Sequence, residues 1–240
     1  MIRGAGCYSS ARACNGRVWH AERHAQRLAR DALLLGLGAL DRAGVLALLH
    51  DLALSTCDGP DAKVRVEAQA DALLGVRLAG TSSPIGDEEP TWRCVAAAVV
   101  HPGASPTSSA KRSDRSLYEA AFVAAREADV DEALLFDAAG RLVEGTRSNV
   151  IVVGRDGAVV TPALACGAQD GIARSLLLER VPLLREAEVS RAQLAAAREI
   201  HATTAVRGVR PVITLDGRPV GDGKPGPWSQ RLDLLLEEDC

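Results

Sequence analysis

Residues 20–38 carry Ala21, Ala25, Leu28, Ala32 and Leu35 at helical spacing, with charged and amide side chains between them. Apolar positions three and four apart line one side of an α-helix, so this segment is expected to be amphipathic and to stop at Gly36 and Gly38. Asp41 then stands as the N-cap of a second helix through Val45, Leu48, Leu49 and Leu52. Beyond it the period changes. Residues 64–66 alternate, and 73–78 and 94–100 are short apolar runs, which read as strands. Residues 114–128 are expected to be helical. ALLFDAAGRLVEG and NVIVVGRDGAVVTP follow, and their Asp-Ala-Ala-Gly and Gly-Arg-Asp-Gly centres supply the turns of two hairpins. Further helices are expected at 171–181, 191–197 and 227–236, with strands near 200–205 and 211–215. The sum is a mixed α+β pattern in two unequal parts. AGTSSPIGDEEPT, residues 79–91, gathers Gly, Ser, Pro and acidic residues as a linker would. The expected division is a small domain over 1–82, a linker over 83–91 and a large domain over 92–240.

Composition narrows the class. With 240 residues, 47% of them hydrophobic and 25% charged, the chain has the apolar content to fill a core, which excludes a disordered polymer. A net charge of -3 leaves no excess of basic groups for nucleic acid. No apolar run approaches the ~20 residues that span a bilayer. The opening Met1-Ile2-Arg3-Gly4 has no apolar stretch of the kind a secretion leader uses. The expectation is a cytoplasmic chain with neither a nucleic acid nor a membrane as partner. Aromatic residues make up only 3%, so Ala, Leu and Val must supply the core. The six cysteines, at 7, 14, 57, 94, 166 and 240, form no CxxC and have no histidine at metal-ligand spacing. They are expected to be reduced thiols, with no metal site.

Candidate chemistry begins with lysine. Only Lys63, Lys111 and Lys224 stand among 28 Lys and Arg residues. Lys111 ends the small-residue loop SPTSSAK just before an expected helix. It reads as a solvated loop lysine or as a nucleophile, since an amine of lowered pKa forms Schiff bases with carbonyls. Glu144, in EGTRSN between two strands, is a turn acceptor or the partner of a protonated ring nitrogen. Gly171, in QDGIAR, opens a helix whose first N–H groups suit an anion, though an ordinary helix start looks the same. Arg23, Arg27 and Arg30 share one helix face, which is solvated or binds an anion. Thr203 and Thr204 end a strand, as ordinary strand residues or as hydroxyls for a phosphate. His201, in EIHATT, reads as a core imidazole. Each feature alone has a plain structural explanation. Together, an imine-forming lysine, a carboxylate for a ring nitrogen, a helix N-terminus for a phosphate and a supporting arginine describe a pyridoxal phosphate site.

At that point the chain resembles the class IV aminotransferases, the fold-type IV pyridoxal phosphate enzymes. The family includes branched-chain and D-amino acid aminotransferases and aminodeoxychorismate lyases. The resemblance runs in order along nearly the whole chain. It takes in GCYSSARACNGRVWHAERHAQRL, Lys111 with Asp131-Glu132-Ala133-Leu134-Leu135 downstream, EGTRSN, GIAR and RGVRPV. It implies a two-domain α/β fold with the cofactor between domains, and a homodimer. By the same resemblance Lys111 would hold pyridoxal 5'-phosphate as a Schiff base and then move protons. Glu144 would bind the pyridine nitrogen. Arg27, Gly171, the backbone of Ile172 and Ala173, and Thr203 or Thr204 would hold the phosphate. Tyr8, Ser10 and Arg12 lie on the strand that family members turn toward a small amine substrate. Arg115 occupies the place where transaminases of the family carry Tyr and lyase-type members carry Arg. With the opening GCYSSAR, it draws the chain closest to the lyase branch. Asp114 stands where those members have Asn, and Ala173 where Thr is common, so one phosphate hydroxyl is lost while a backbone N–H remains. By the resemblance the chain also starts late by a stretch long enough for two strands, so either the start is misassigned or the small domain is trimmed. The leading expectation is 4-amino-4-deoxychorismate lyase. A transaminase for branched-chain or D-amino acids and a non-catalytic pyridoxal phosphate-binding protein are the alternatives.

Overall fold

The structure, a computed structural model, describes residues 6–55, 61–73 and 75–237. It separates into two units, one formed by residues up to Asp87 together with Ala110–Asp114, the other by Glu88–Ser109 and Arg115–Glu237. The boundary after Asp87 falls inside the expected linker 83–91. The short piece that carries Lys111 groups with the first unit, whereas a single cut along the sequence assigned it to the large domain.

The first unit contains β1 (Gly6–Cys14), β2 (Arg17–Val18), α1 (Ala21–Leu34), α2 (Arg42–Leu54), β3 (Asp61–Asp71) and β4 (Gly75–Pro84). The strands form one antiparallel sheet in the order β2-β1-β3-β4. Successive strand side chains point to opposite faces. Cys7, Ala11 and Ala13 of β1 and Val64 and Val66 of β3 therefore share the face packed against Ala25, Leu28 and Ala32 of α1 and Val45 and Leu49 of α2. Burying side chains such as Leu28 and Leu49 stabilises by about 1.5–3 kcal/mol each. The cap expected of Asp41 is present, its carboxylate accepting from the N–H groups of Ala43 and Gly44. Residues 79–84, expected as linker, continue β4 and pair with β3 as far as Pro84 opposite Ala62. The absence of a side chain at Gly80 makes this possible, because a Cβ there would lie 2.5 Å from Leu52 Cδ1 on α2. The 110–114 segment lies along the first half of β1. Tyr8 N donates to Lys111 O at 3.0 Å and Ser113 N to Gly6 O at 2.8 Å, with Cys7 bridged to Arg112 between them.

The second unit contains β5 (Trp92–His101), α3 (Ser116–Glu127), β6 (Glu132–Asp137), β7 (Leu142–Gly145), β8 (Asn149–Val153), β9 (Val159–Pro162), α4 (Ile172–Arg180), β10 (Leu184–Ala187), α5 (Arg191–Ala195), β11 (Glu199–Thr204), β12 (Gly208–Leu215), β13 (Arg218–Pro219) and α6 (Trp228–Leu234). Its mixed sheet runs β10-β9-β8-β11-β12-β5-β6-β7, with β13 on β12. Both expected hairpins form, β6 with β7 and β8 with β9. One face packs Leu134, Leu142, Val152, Leu194 and Ile200 around Trp92. Another packs Ile151, Val153, Leu176, Leu177 and Leu232 beneath α4 and α6. The β7–β8 connection is held by Glu132, which is fully buried. Its carboxylate accepts from Ala133 N, Thr146 N, Thr146 Oγ1, Arg147 N and Ser148 Oγ.

Cys7, Cys94 and Cys166 are free and buried, but Cys14 is disulfide-bonded. That corrects the expectation of six reduced thiols. Pairing depends on how close two Cβ atoms come in space, which spacing along a chain does not reveal. Cys57 and Cys240 lie outside the described residues. No helix among the described residues is long and apolar enough to cross a membrane.

Candidate active site

Within the first unit, Lys111 is held by both backbone groups. Its carbonyl accepts from Tyr8 N, and its N–H donates to Asp31 Oδ2 at 2.9 Å. Asp31 sits on α1 with a side chain of 0% exposure, and its Oδ1 accepts from the Arg30 guanidinium. The ammonium nitrogen of Lys111 lies 5.1 Å from the centre of the Tyr8 ring. The Arg65 guanidinium stacks on the same ring at 3.6 Å. Lys111 and Tyr8 are thus brought together. Ser10 and Arg12 fall on the Tyr8 side of β1 by alternation. Arg12 is engaged by Asp61 in a two-point pair at 2.8 and 2.6 Å and lies over Trp19. A substrate carboxylate would have to displace Asp61 to use it. Arg27 is buried on the opposite face of β1, where Nη2 donates to Ser9 Oγ at 2.7 Å. Among its helical neighbours, Arg30 turns to Asp31, and its side chain is 41% exposed.

Within the second unit, Glu144 at the end of β7 is buried at 3% exposure. Tyr118 Oη, from α3, donates to Oε1 at 2.7 Å. Asn149 Nδ2 and Gln169 N donate to Oε2 at 3.2 and 3.0 Å. Gln169 Nε2 donates in turn to Tyr118 Oη at 3.0 Å. Burial, and then the Glu144 charge beside it, push the Tyr118 phenol far above its ordinary range, so it stays protonated as a donor. The carboxylate is thereby fixed from three sides. Arg115 lies over the Tyr118 ring at 4.2 Å and donates to Thr146 O.

Gly171 is the N-cap of α4, and no side chain caps the helix start. The first N–H groups, on Ile172 and Ala173, have no acceptor within the helix and carry the positive end of its dipole. Thr203 Oγ1 donates to Asn149 O at 3.5 Å, and Thr204 Oγ1 accepts from Arg207 N at 2.9 Å. His201 is buried beside Glu199, as a core imidazole would be. Among the described residues no three His, Cys, Asp or Glu side chains gather as a metal site requires.

Sequence reasoning missed Ser9, His24, Asp31 and Tyr118 as members of these clusters. The signal for two of them, His24 and Asp31, was present. Polar residues at 24, 27 and 31 recur at helical spacing next to the apolar Ala25, Leu28 and Ala32, which places them on the buried side of α1.

The folded chain is similar to a branched-chain aminotransferase from Thermoproteus uzoniensis, with a TM-score of 0.85 at 24% identity over 98% of this chain and 84% of that one. It is equally similar to a protein from Legionella pneumophila assigned by inference as 4-amino-4-deoxychorismate lyase, with a TM-score of 0.85 at 19% identity, covering 97% and 90%. These likenesses define the fold as that of the fold-type IV enzymes. The model of the amino-transferase class IV family matches residues 6–215, and the chain belongs to that family, whose members work with pyridoxal phosphate on small amines. The branched-chain-amino-acid aminotransferase of Pseudomonas aeruginosa is 33% identical over 107 residues, 42% of this chain and 34% of the relative. The chain spans 19% to 36% of the length of such curated relatives.

The residues present fit that cofactor. Glu144 offers a buried acceptor for a ring nitrogen, α4 an uncapped N-terminus for a phosphate, and Lys111 an amine on a firmly held backbone. A Cβ at Gly171 would lie 2.0 Å from Asn149 Oδ1, so the Asn149 amide would have to shift to admit one. Replacing Gly171 with alanine should push the Asn149 amide off Glu144 and lose about 1–3 kcal/mol to overpacking. Chemical denaturation of both proteins checks the loss, and an unchanged midpoint would show that the contact is easily relieved.

Proposed function

We propose that the chain is a pyridoxal phosphate-dependent 4-amino-4-deoxychorismate lyase, which releases pyruvate and 4-aminobenzoate. The observation that carries this reading is Arg115. It is held by Thr146 O and stacked on Tyr118 beside Glu144, where the transaminase pattern has a tyrosine. A fixed guanidinium binds a carboxylate at two points, and the proposed substrate has carboxylates to offer. The opening GCYSSAR supports the same branch.

The bound cofactor supplies a protonated ring that accepts electrons from the carbon carrying the substrate amine. Lys111 would hold the cofactor through its side-chain nitrogen. The same amine, when free, would take the proton from the substrate carbon that bears the substrate amine. Glu144, anchored by Tyr118, Asn149 and Gln169, keeps the ring nitrogen protonated. The C–O bond to the enolpyruvyl group breaks, the substrate ring becomes aromatic, and the departing group takes up a proton as pyruvate. Arg27, the N–H groups of Ile172 and Ala173 behind Gly171, and Thr203 or Thr204 hold the phosphate. Tyr8, Ser10 and Arg12 line the substrate side of β1. The family resemblance supports a cytoplasmic homodimer whose partner is a small amine rather than nucleic acid or membrane.

The test incubates cofactor-loaded protein with aminodeoxychorismate and measures both products. Equimolar 4-aminobenzoate and pyruvate establish the lyase. The 33% identity to a branched-chain aminotransferase favours a second reading, in which branched-chain amino acids convert the bound cofactor to its amine form and no pyruvate appears. A coloured protein that does neither is a binder. Glu144→Gln separates binding from chemistry. It should keep cofactor bound while slowing turnover about 10²-fold or more, because the amide no longer stabilises a charged ring nitrogen. A kcat equal to that of the unaltered protein would remove Glu144 from this role.

A further inference from the structure

Ser9, His24 and Arg27 form a hydrogen-bonded chain inside the first unit, at exposures of 1%, 0% and 8%. Arg27 Nη2 lies 2.7 Å from Ser9 Oγ, and Ser9 Oγ lies 2.7 Å from His24 Nδ1. The direction of the Arg27 bond follows from the chemistry of the groups. A guanidinium only donates, so Ser9 Oγ accepts from Arg27. With the imidazole proton on Nε2 the hydroxyl hydrogen goes to Nδ1, and with the proton on Nδ1 that N–H donates to the second lone pair of Ser9 Oγ. In both tautomers the bond to His24 fixes the hydroxyl with a lone pair toward Arg27. Burial, and then the nearby Arg27, His20 and Lys111 charges, hold the imidazole well below its usual pKa, so it is neutral.

The arrangement is costly. His24 Nε2 is buried and has no hydrogen-bond partner among the described residues, and an unsatisfied buried polar nitrogen destabilises a fold. A leucine would avoid that cost. What the imidazole provides is orientation. A serine hydroxyl can rotate, and the bond to His24 on one side holds it with a lone pair toward Arg27 on the other.

We propose that Ser9 and His24 are positioning residues that lock the Arg27 guanidinium in the orientation that receives the cofactor's phosphate. The inference rests on the reading of Arg27 as a phosphate ligand. Neither residue touches the phosphate. Ser9 anchors one end of the guanidinium, and His24 keeps Ser9 an acceptor. Arg side chains carry large rotamer entropy, so a fixed end leaves less freedom to lose on binding.

The test compares pyridoxal phosphate with pyridoxal, which lacks the phosphate, by titrating both into the cofactor-free full-length protein. Ser9→Ala and His24→Leu should each weaken pyridoxal phosphate binding about tenfold or more, the range for losing a hydrogen bond to a charged group. Pyridoxal binding should stay within about twofold of the unaltered protein, because the relay acts only through the phosphate. Ser9→Thr and His24→Asn keep a hydroxyl and an acceptor in place and should restore most of the affinity. They also carry the test if His24→Leu fails to fold. Equal weakening of both compounds, or of neither, overturns the relay. Arg27→Ala tells the two layers apart. If it leaves the preference for pyridoxal phosphate over pyridoxal intact, the reading of Arg27 falls and the relay with it. If it abolishes the preference while Ser9→Ala does not reduce it, only the relay falls.

Discussion

Replacing Lys111 with alanine should eliminate turnover and covalent cofactor attachment together. The side chain has two duties under the proposed function, holding the cofactor and moving the proton, and no other lysine can take them over. Lys63 is on β3, and Lys224 is in a surface turn where its own N–H bonds Asp222. General acid–base catalysis alone contributes about 10²–10⁴-fold, so the loss should be at least that large. Borohydride reduction followed by mass spectrometry should label one peptide of the unaltered protein and none of the variant. The fold should survive, because the segment is held by its backbone through Tyr8 and Asp31. A variant that retains activity on the true substrate would refute the mechanism.

Replacing Glu132 with alanine should give the largest loss of stability. Its five donors come from Ala133, Thr146, Arg147 and Ser148, and the side chain is fully buried. Each buried donor left without an acceptor costs about 1–3 kcal/mol. With partial relaxation the expected total is about 3–5 kcal/mol, in the exceptional range for one substitution. That corresponds to a fall in melting temperature of roughly 10 °C or more for a chain of this size. Glu132→Gln keeps the shape and one acceptor oxygen and should lose less. Thermal unfolding of the two variants checks the order. Equal losses would mean that volume, not acceptor capacity, is what the site needs.

The regular elements were legible because their signals are local. The spacing of Ala25, Leu28 and Ala32 gave α1, Asp41 gave the start of α2, and the two Gly-containing turns gave the hairpins. Residues 79–84 were misread because β4 is held by pairing along β3 and by Gly80 under Leu52, and neither is visible in a run of Gly, Ser and Thr. The four-residue β10 carries Arg and Glu between apolar ends and exists through its parallel pairing with β9. The site divides the same way. Lys111, Glu144 and Gly171 were legible as residue types beside turns and helix starts. For Asp31 and His24 the spacing shows a buried position but not the contacts, which reach Lys111 80 residues away and Ser9 15 residues away, and Tyr118 gave no signal because its partner Glu144 lies 26 residues on.

The chain leaves the first unit after Asp87, returns for Ala110–Asp114, and leaves again. That excursion makes the lysine's address discontinuous. A fragment ending at residue 87 would lack both Lys111 and the strip that covers the first half of β1, leaving the backbone groups of Gly6 and Tyr8 as an open sheet edge of the kind that draws other chains into aggregates. Recombining this unit with a relative's second unit therefore requires grafting two separate pieces of sequence. A crossover at the linker alone would pair one parent's β1 with the other parent's lysine strip, and the register between them would decide whether the hybrid folds.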